Sequence, residues 1–494
     1  MSARRARLLR AGSLLLASEI LVQACGLLRN LVVARLILPE HFGVAAALAM
    51  SVSLVEMLSD VGAGRFLTRA HGHDGDAWLG VAHTVSILRG TLGALALALL
   101  APLLASALDM GDAAWAFRAV ALVPLVRAWT HNDIWLAQRD FRFRAYALYQ
   151  ALPQVATLAL AAPVALWLRD YRALLLLLVV NASLATLLSH LAGSRPYRLA
   201  FDKARTRELL AFGLPLLGDG LLMFVVMHGE RVIVSNAFGR AALGFYSATY
   251  LLAWTPAAVL GRVGLSLGTP QLSALRHDRA RRDAHVALAS RLLLGPAIAL
   301  GIAFALGGGE IVRLVFGDDY RLAPAAAAWL ALGQALRILR VVPIVAAIAE
   351  GYTLSPLVGN VARALAVAVG FGLAEGGAPL ETVLGAGVAG ELVAHVLTVF
   401  MNRLRLALPA RGVVLPVALL GVAFWLAWTL RAVPAFASLG PIPLALVAMG
   451  IGAASGTVVL AFSPGARGLA RGILKRGGRD SPISQPGATP RAEP

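Results

Sequence analysis

Apolar runs of about 20 residues alternate with short polar breaks along most of this chain, a rhythm that predicts membrane-spanning α-helices. The runs lie near 12–38, 42–66, 78–104, 113–137, 145–168, 172–194, 208–236, 241–267, 286–308, 322–349, 354–374, 381–402, 412–432 and 439–462, about 14 spans in all. Transmembrane β-strands would read as alternating segments of ~10 residues, and none occur. The run at 113–137 is the most polar, and that at 354–374 is short and rich in glycine.

The opening hairpin organises the rest. A long apolar helix from Gly12 carries Glu19, Gln23, Arg29, Asn30 and Arg35, turns at Leu38-Pro39-Glu40, and restarts through Gly43. A variant of the unit returns 201 positions later: Gly12 meets Gly213, Gly43 meets Gly244, and Arg29-Asn30 meets Glu230-Arg231. The repeat superposes the first six spans on the next six in the same orientation. That is the plan of parallel halves about an axis along the membrane normal. The expected division is 1–194 and 208–405 as two six-helix lobes joined by a linker at 195–207, then an accessory helix pair at 406–463 and a disordered basic tail at 464–494.

Composition agrees. The 494 residues are 59% hydrophobic and 14% charged, against about a quarter charged in soluble chains. The net charge of +18 comes almost wholly from arginine. In a soluble protein this would suggest nucleic acid, but here the arginines crowd alternate loops. The positive-inside rule places those loops and both termini in the cytoplasm, and an even number of spans requires the same. The basic start, Arg4 to Arg10, resembles a signal n-region. The apolar stretch after it is too long, so it reads as a retained first span. Cys25 is the single cysteine, which excludes an internal disulfide framework; it reads as a small buried apolar residue. There is no P-loop or dinucleotide fingerprint. His71-Gly-His73-Asp74 reads as a solvated loop rather than a metal site, and no cofactor is expected.

The chemistry must then come from ionisable residues within the spans, which are costly and tend to face water or each other. At 100° per residue, Glu19, Gln23 and Asn30 fall within about 40° on the first helix. Ser53, Glu56 and Asp60 form the facing stripe on the second. Arg89, Arg127, Arg337, Arg340 and Arg363 lie mid-span. One reading pairs them with acids to lock helices together, for example Glu56 with Arg89. The other has them line a water-filled cavity that binds an anion, arginine being suited to bidentate phosphate recognition. Glu19, Glu56, Asp60, Asp219, Glu230 and Glu391 would then balance charge or couple to protons, as would His131 and His395. His83, His190 and His228 read as structural.

The run Ala34-Arg35-Leu36-Ile37-Leu38-Pro39-Glu40-His41-Phe42-Gly43, followed by Glu56-Met57-Leu58-Ser59-Asp60-Val61-Gly62, resembles the opening of the polysaccharide transporter family. Gly213-Leu214-Pro215, Glu230 to Val234 and Leu243-Gly244-Phe245-Tyr246 resemble its mid-chain pattern, with Glu230 where an aspartate is expected. The likeness spans about 8–405. These are flippases of lipid-linked oligosaccharides for O-antigen, lipopolysaccharide and exopolysaccharide export, within the multidrug/oligosaccharidyl-lipid/polysaccharide exporter superfamily. The resemblance implies an all-α, MATE-like protein whose two lobes enclose a cavity of alternating access in the bacterial inner membrane. It implies an undecaprenyl-diphosphate-linked glycan as substrate, membrane lipid as surroundings, and a polysaccharide polymerase and chain-length regulator as partners, with no nucleic acid. Three rivals stand beside it: a cation-coupled multidrug exporter, a peptidoglycan-precursor flippase, and an integral-membrane polymerase or ligase. Buried arginine disfavours the first, and short outward loops disfavour the last.

Overall fold

The computed structural model describes residues 3–69, 75–139, 143–408, 410–437 and 439–462. The expected loop at His71 to Asp74 and the basic tail lie outside these residues. Every regular element among the described residues is helical. The principal helices are α1 (Ala3–Ala34), α2 (Pro39–Ser59), α3 (Ala63–Arg69), α4 (Gly75–Ala107), α5 (Ala114–Ala119), α6 (Leu122–Ala128), α7 (Asp133–Arg139), α8 (Phe143–Leu168) and α9 (Arg172–Ala192). After a linker follow α10 (Lys203–Val263), α11 (Thr269–Ala274), α12 (Arg279–Phe316), α13 (Pro324–Ala349), α14 (Leu354–Glu375), α15 (Leu380–Leu406), α16 (Arg411–Leu430), α17 (Pro434–Ala437) and α18 (Pro441–Phe462). Among the described residues, eleven helical segments are long and apolar enough to cross a membrane, and Pro441–Ser455 is a shorter apolar helix. The protein is therefore an all-α polytopic membrane protein.

Local sequence explains the boundaries. Pro39 opens α2 at a position whose N–H has no helical partner. Asp202 caps α10 by accepting from the Arg205 N–H at 2.9 Å, and Asp278 caps α12 in the same way from Arg281 at 3.0 Å.

Two stretches carry breaks in their helices. The two spans predicted at 208–236 and 241–267 are present as two helices within α10 that meet at Gly239, whose φ is 83°, so the break falls where the sequence places it. The chain folds back there. The Tyr246 hydroxyl donates to Glu230 at 2.7 Å and the Arg231 guanidinium lies 4.6 Å from the Tyr250 ring centroid; in a straight helix, 16 residues span about 24 Å. The span predicted at 113–137 is not one helix. It divides into α5, α6 and α7; the break between α6 and α7 falls at the polar run Thr130-His131-Asn132-Asp133, whose groups make side-chain contacts instead of continuing an apolar face.

The repeat seen in the sequence becomes a spatial relationship. Gly43 on α2 sits against the Arg240 carbonyl and the Gly244 N–H; Gly244 sits against the Pro39 carbonyl and the Gly43 N–H. At this end, the hairpin end, further contacts join the halves. Arg35 donates to the Leu314 and Val315 carbonyls at the end of α12, and Arg240 pairs with Asp112 at 2.9 Å. At the other end, the linker end, Gly213 and Gly220 on α10 pack against Val61 and Met57 at the end of α2. Small residues admit this close helix approach, as they do in other membrane bundles. The last apolar helices, α16 and α18, lie against α12: Gly301 meets Leu420, and Gly307 meets Ala448.

Candidate functional site

The ionisable residues of the spans gather in three places. The first is a cavity of about 330 Å³ inside the N-terminal half, bounded by α2, α3, α4, α6, α7 and α8. Glu56 and Asp60 reach it from α2, Arg89 from α4 and Arg127 from α6. Arg127 pairs with Glu56 at 2.5 Å, and Arg89 with Asp60 at 3.3 Å. The expected Glu56–Arg89 pairing is thus replaced by these two pairs. Trp135 and Tyr149 complete the wall.

The second gathering is buried in the C-terminal half. Glu391 on α15 receives Arg337 and Arg340 from α13 and Arg363 from α14. The Arg363 contact is 2.6 Å and the Arg340 contact 3.4 Å. Their side chains are almost wholly enclosed: Glu391 is 4% exposed, Arg340 6% and Arg363 9%. Three guanidinium groups around one carboxylate leave an excess of positive charge, and an unpaired charge in such a setting is costly. Arg337 also donates to the Tyr250 hydroxyl at 3.2 Å. Glu230 shares a small void with Arg337 and Glu391, and it fits there only because Gly387 has no Cβ to meet its carboxylate. His395 is buried one turn along α15 from Glu391.

The third is the space between the halves. A cavity of about 180 Å³ is lined by Arg29 and Asn30 from α1, Phe42 and small residues from α2, Leu174 from α9, and Arg231 and Ser247 from α10. Among the described residues, no carboxylate lines it. Arg29 is held from behind by Gln154 at 3.2 Å and Thr157 at 3.5 Å on α8. Arg231 is stacked on Tyr250 and lies 3.1 Å from His228 Nδ1. Both guanidinium groups are thereby positioned by partners other than a carboxylate among the described residues.

The remaining expected site residues lie elsewhere. Glu19 pairs with Arg262 across the halves at the linker end. Asp219 is exposed on α10, apart from all three places. His131 belongs to a platform under the linker. His83, His131 and His190 cluster around Tyr197 with centroid separations of 4.1 to 5.3 Å to that ring. His83 Nδ1 meets the Arg198 carbonyl and His131 Nε2 the Arg195 carbonyl, each at 3.0 Å. Their other nitrogens accept from the Asn132 and Asp133 N–H groups. Asp133 holds Ser194 and Arg195.

Sequence reasoning noted Arg29 and Arg231 but did not place them in the cavity between the halves. The signal was available: Asn30 and Arg231 are 201 residues apart, so the repeat that pairs Gly43 with Gly244 brings them to the same cavity.

A family model described as a polysaccharide biosynthesis protein matches residues 32–323. Among curated proteins, none matches the chain. Solved structures that share the fold include two transporters. One is the lipid II flippase MurJ in an inward closed conformation, with a TM-score of 0.70 and 11% identity, over 93% of this chain and 99% of that one. The other is an inward-facing multidrug resistance MATE family transporter of the MOP superfamily, with a TM-score of 0.61 and 14% identity, over 78% of this chain and 94% of that one.

Proposed function

We propose, from the premise that this chain belongs to the polysaccharide biosynthesis protein family, that it is a flippase carrying a polyprenyl-diphosphate-linked oligosaccharide across the inner membrane. The observation that carries the reading is the pair Arg29 and Arg231, one from each half, on a single cavity with no carboxylate among the described residues of its wall. Two fixed guanidinium groups in a low-dielectric enclosure form a receptor for a diphosphate, whose oxygens accept bidentate hydrogen bonds. The fold shared with known transporters supports a carrier rather than an enzyme.

The carrier divides into lobes at 1–194 and 208–405 that rock about the glycine contact. The linker end faces the cytoplasm, a reading supported by the alternate arginine-rich loops, and the diphosphate is taken up from that side. The polyprenyl tail stays in the bilayer. Arg337, Arg340 and Arg363 outnumber the acids beside them and add positive potential behind the central pair; Arg89 and Arg127 are each matched by a carboxylate and add none. A multidrug exporter for cations would need acids where Arg29 and Arg231 stand. The exported glycan then passes to a polymerase and its chain-length regulator.

The experiment is binding of undecaprenyl diphosphate to the purified protein in nanodiscs. Arg231→Ala is expected to weaken binding by about tenfold or more, as the loss of a charge-assisted bidentate contact would. Equal binding by wild type, Arg29→Ala and Arg231→Ala would overturn the reading.

A further inference from the structure

The cavity inside the N-terminal half remains without a role. At about 330 Å³ it lies within the size range of small-ligand sites. Its charges cancel. Glu56 is matched by Arg127, and Asp60 by Arg89. An anion entering would meet two carboxylates at contact, and a cation two guanidinium groups. Neither gains net attraction, so a charged ligand is selected against.

A neutral ligand with many hydroxyls meets the opposite situation. Each hydroxyl both donates and accepts. The side chains of Glu56 and Asp60 are 34% and 47% exposed, and those of Arg127 and Arg89 are 39% and 29% exposed. Within the described residues, Glu56 Oε2 and Asp60 Oδ2 accept no hydrogen bond from the protein. The lining therefore offers both acceptors and donors. Trp135 and Tyr149 belong to the same lining. Trp135 is held in place because its indole lies over Gly64, where a Cβ would come within 2.7 Å of the ring, and because Tyr146 packs beside it with centroids 5.6 Å apart. Rigid aromatic faces beside paired polar groups suit the apolar C–H faces and the hydroxyl edges of a pyranose.

The position also fits. Tyr149 and Gln154 lie on the same helix, α8, and Gln154 holds Arg29. Five residues of helix advance about 8 Å along its axis, so α8 runs from the wall of this cavity to the side chain that positions Arg29.

We infer that the N-terminal cavity is the glycan-binding site: it takes the uncharged sugars proximal to the diphosphate, with Trp135 and Tyr149 as stacking surfaces and the Glu56–Arg127 and Asp60–Arg89 pairs as hydroxyl partners. This inference rests on the diphosphate reading of the central cavity, and the test separates the two. Binding to the full-length protein in nanodiscs is measured with two probes: undecaprenyl diphosphate, and lipid-linked oligosaccharides extracted from the native membrane. Wild type should bind the glycan-bearing lipid about tenfold more tightly, the effect of one stacking contact plus hydrogen bonds. Trp135→Ala should remove that increment and leave undecaprenyl diphosphate binding unchanged. Tyr149→Leu is the second variant and should reduce the increment if Trp135→Ala does not fold. Arg231→Ala should weaken both probes equally. An increment that survives in the folded aromatic variants, or a wild type that binds both probes alike, overturns the glycan site. If the wild type binds only the glycan-bearing lipid, and Trp135→Ala abolishes this, the glycan site stands and the diphosphate site falls.

Discussion

Gly43 and Gly244 face each other across the two halves, each lying against a carbonyl next to the other: Gly43 against that of Arg240, Gly244 against that of Pro39. The glycines are 201 residues apart, and so are the carbonyls. A pseudo-twofold axis therefore passes between them, and the contact is made twice by equivalent atoms. Backbone approach this close leaves no room for a Cβ on either side.

The first prediction follows from that crowding. Gly43→Ala and Gly244→Ala each force the halves apart or strain the turn, at a cost of about 1–3 kcal/mol, the usual range for overpacking. Thermal unfolding in detergent should show both variants lowered. Gly218→Ala is the control, because a Cβ there meets nothing within 4 Å. Equal melting of all three variants would remove the axis from the account.

Glu391 supplies the second. It is the carboxylate that Arg337, Arg340 and Arg363 share. Glu391→Gln leaves three guanidinium groups with Glu230 as the remaining nearby counter-charge, and should destabilise by about 3–5 kcal/mol. Arg363→Gln removes one of three cations and should cost clearly less. The comparison is read from melting temperatures, and an equal loss in the two variants would mean that the excess charge is not what matters.

Gly387 gives a local test of the same region. A Cβ there collides with the Glu230 carboxylate. Gly387→Ala should displace Glu230 and break its hydrogen bond from Tyr246. If so, Gly387→Ala and Tyr246→Phe lose stability by similar amounts, and the double variant loses little more than either. Full additivity would place the two effects in different parts of the molecule.

The linker is held by ring nitrogens. His83 and His131 each use one nitrogen toward a linker carbonyl and the other as an acceptor from a backbone N–H. Replacing either ring by alanine removes both contacts. His131→Ala should raise amide hydrogen exchange across 193–202 at fixed pH, while exchange in α13 stays unchanged. Unaltered protection of the linker would show that its other contacts, from Asp133 to Ser194 and Arg195 and from His83 and Thr84 to Arg198 and Ala200, hold it without the His131 ring.

Much of this architecture was legible in the sequence because lipid imposes strong rules. Apolar length marked the helices, and the 201-residue offset marked the halves. The pairing of charges was not legible. Glu56 and Asp60 lie one turn apart on one face of α2, so either could have met Arg89 by spacing alone; the register of α4 and α6 decides that Arg127 takes Glu56. The span at 113–137 was misread as one helix because its apolar content is that of a span. Its polar end instead holds the linker through contacts to residues 60 positions away. Arg29 and Arg231 were visible as residues but not as a pair, since only the fold shows that no carboxylate among the described residues lines the space between them.

The central claim is that Arg29 and Arg231 hold a diphosphate in transit. The most direct measurement is translocation of a fluorescent polyprenyl-diphosphate-linked oligosaccharide in proteoliposomes, comparing wild type with Arg29→Ala and Arg231→Ala at matched folded protein. Wild type should move the lipid between leaflets, and each variant should be slowed by about tenfold or more. Translocation by both variants at the wild-type rate would contradict the account.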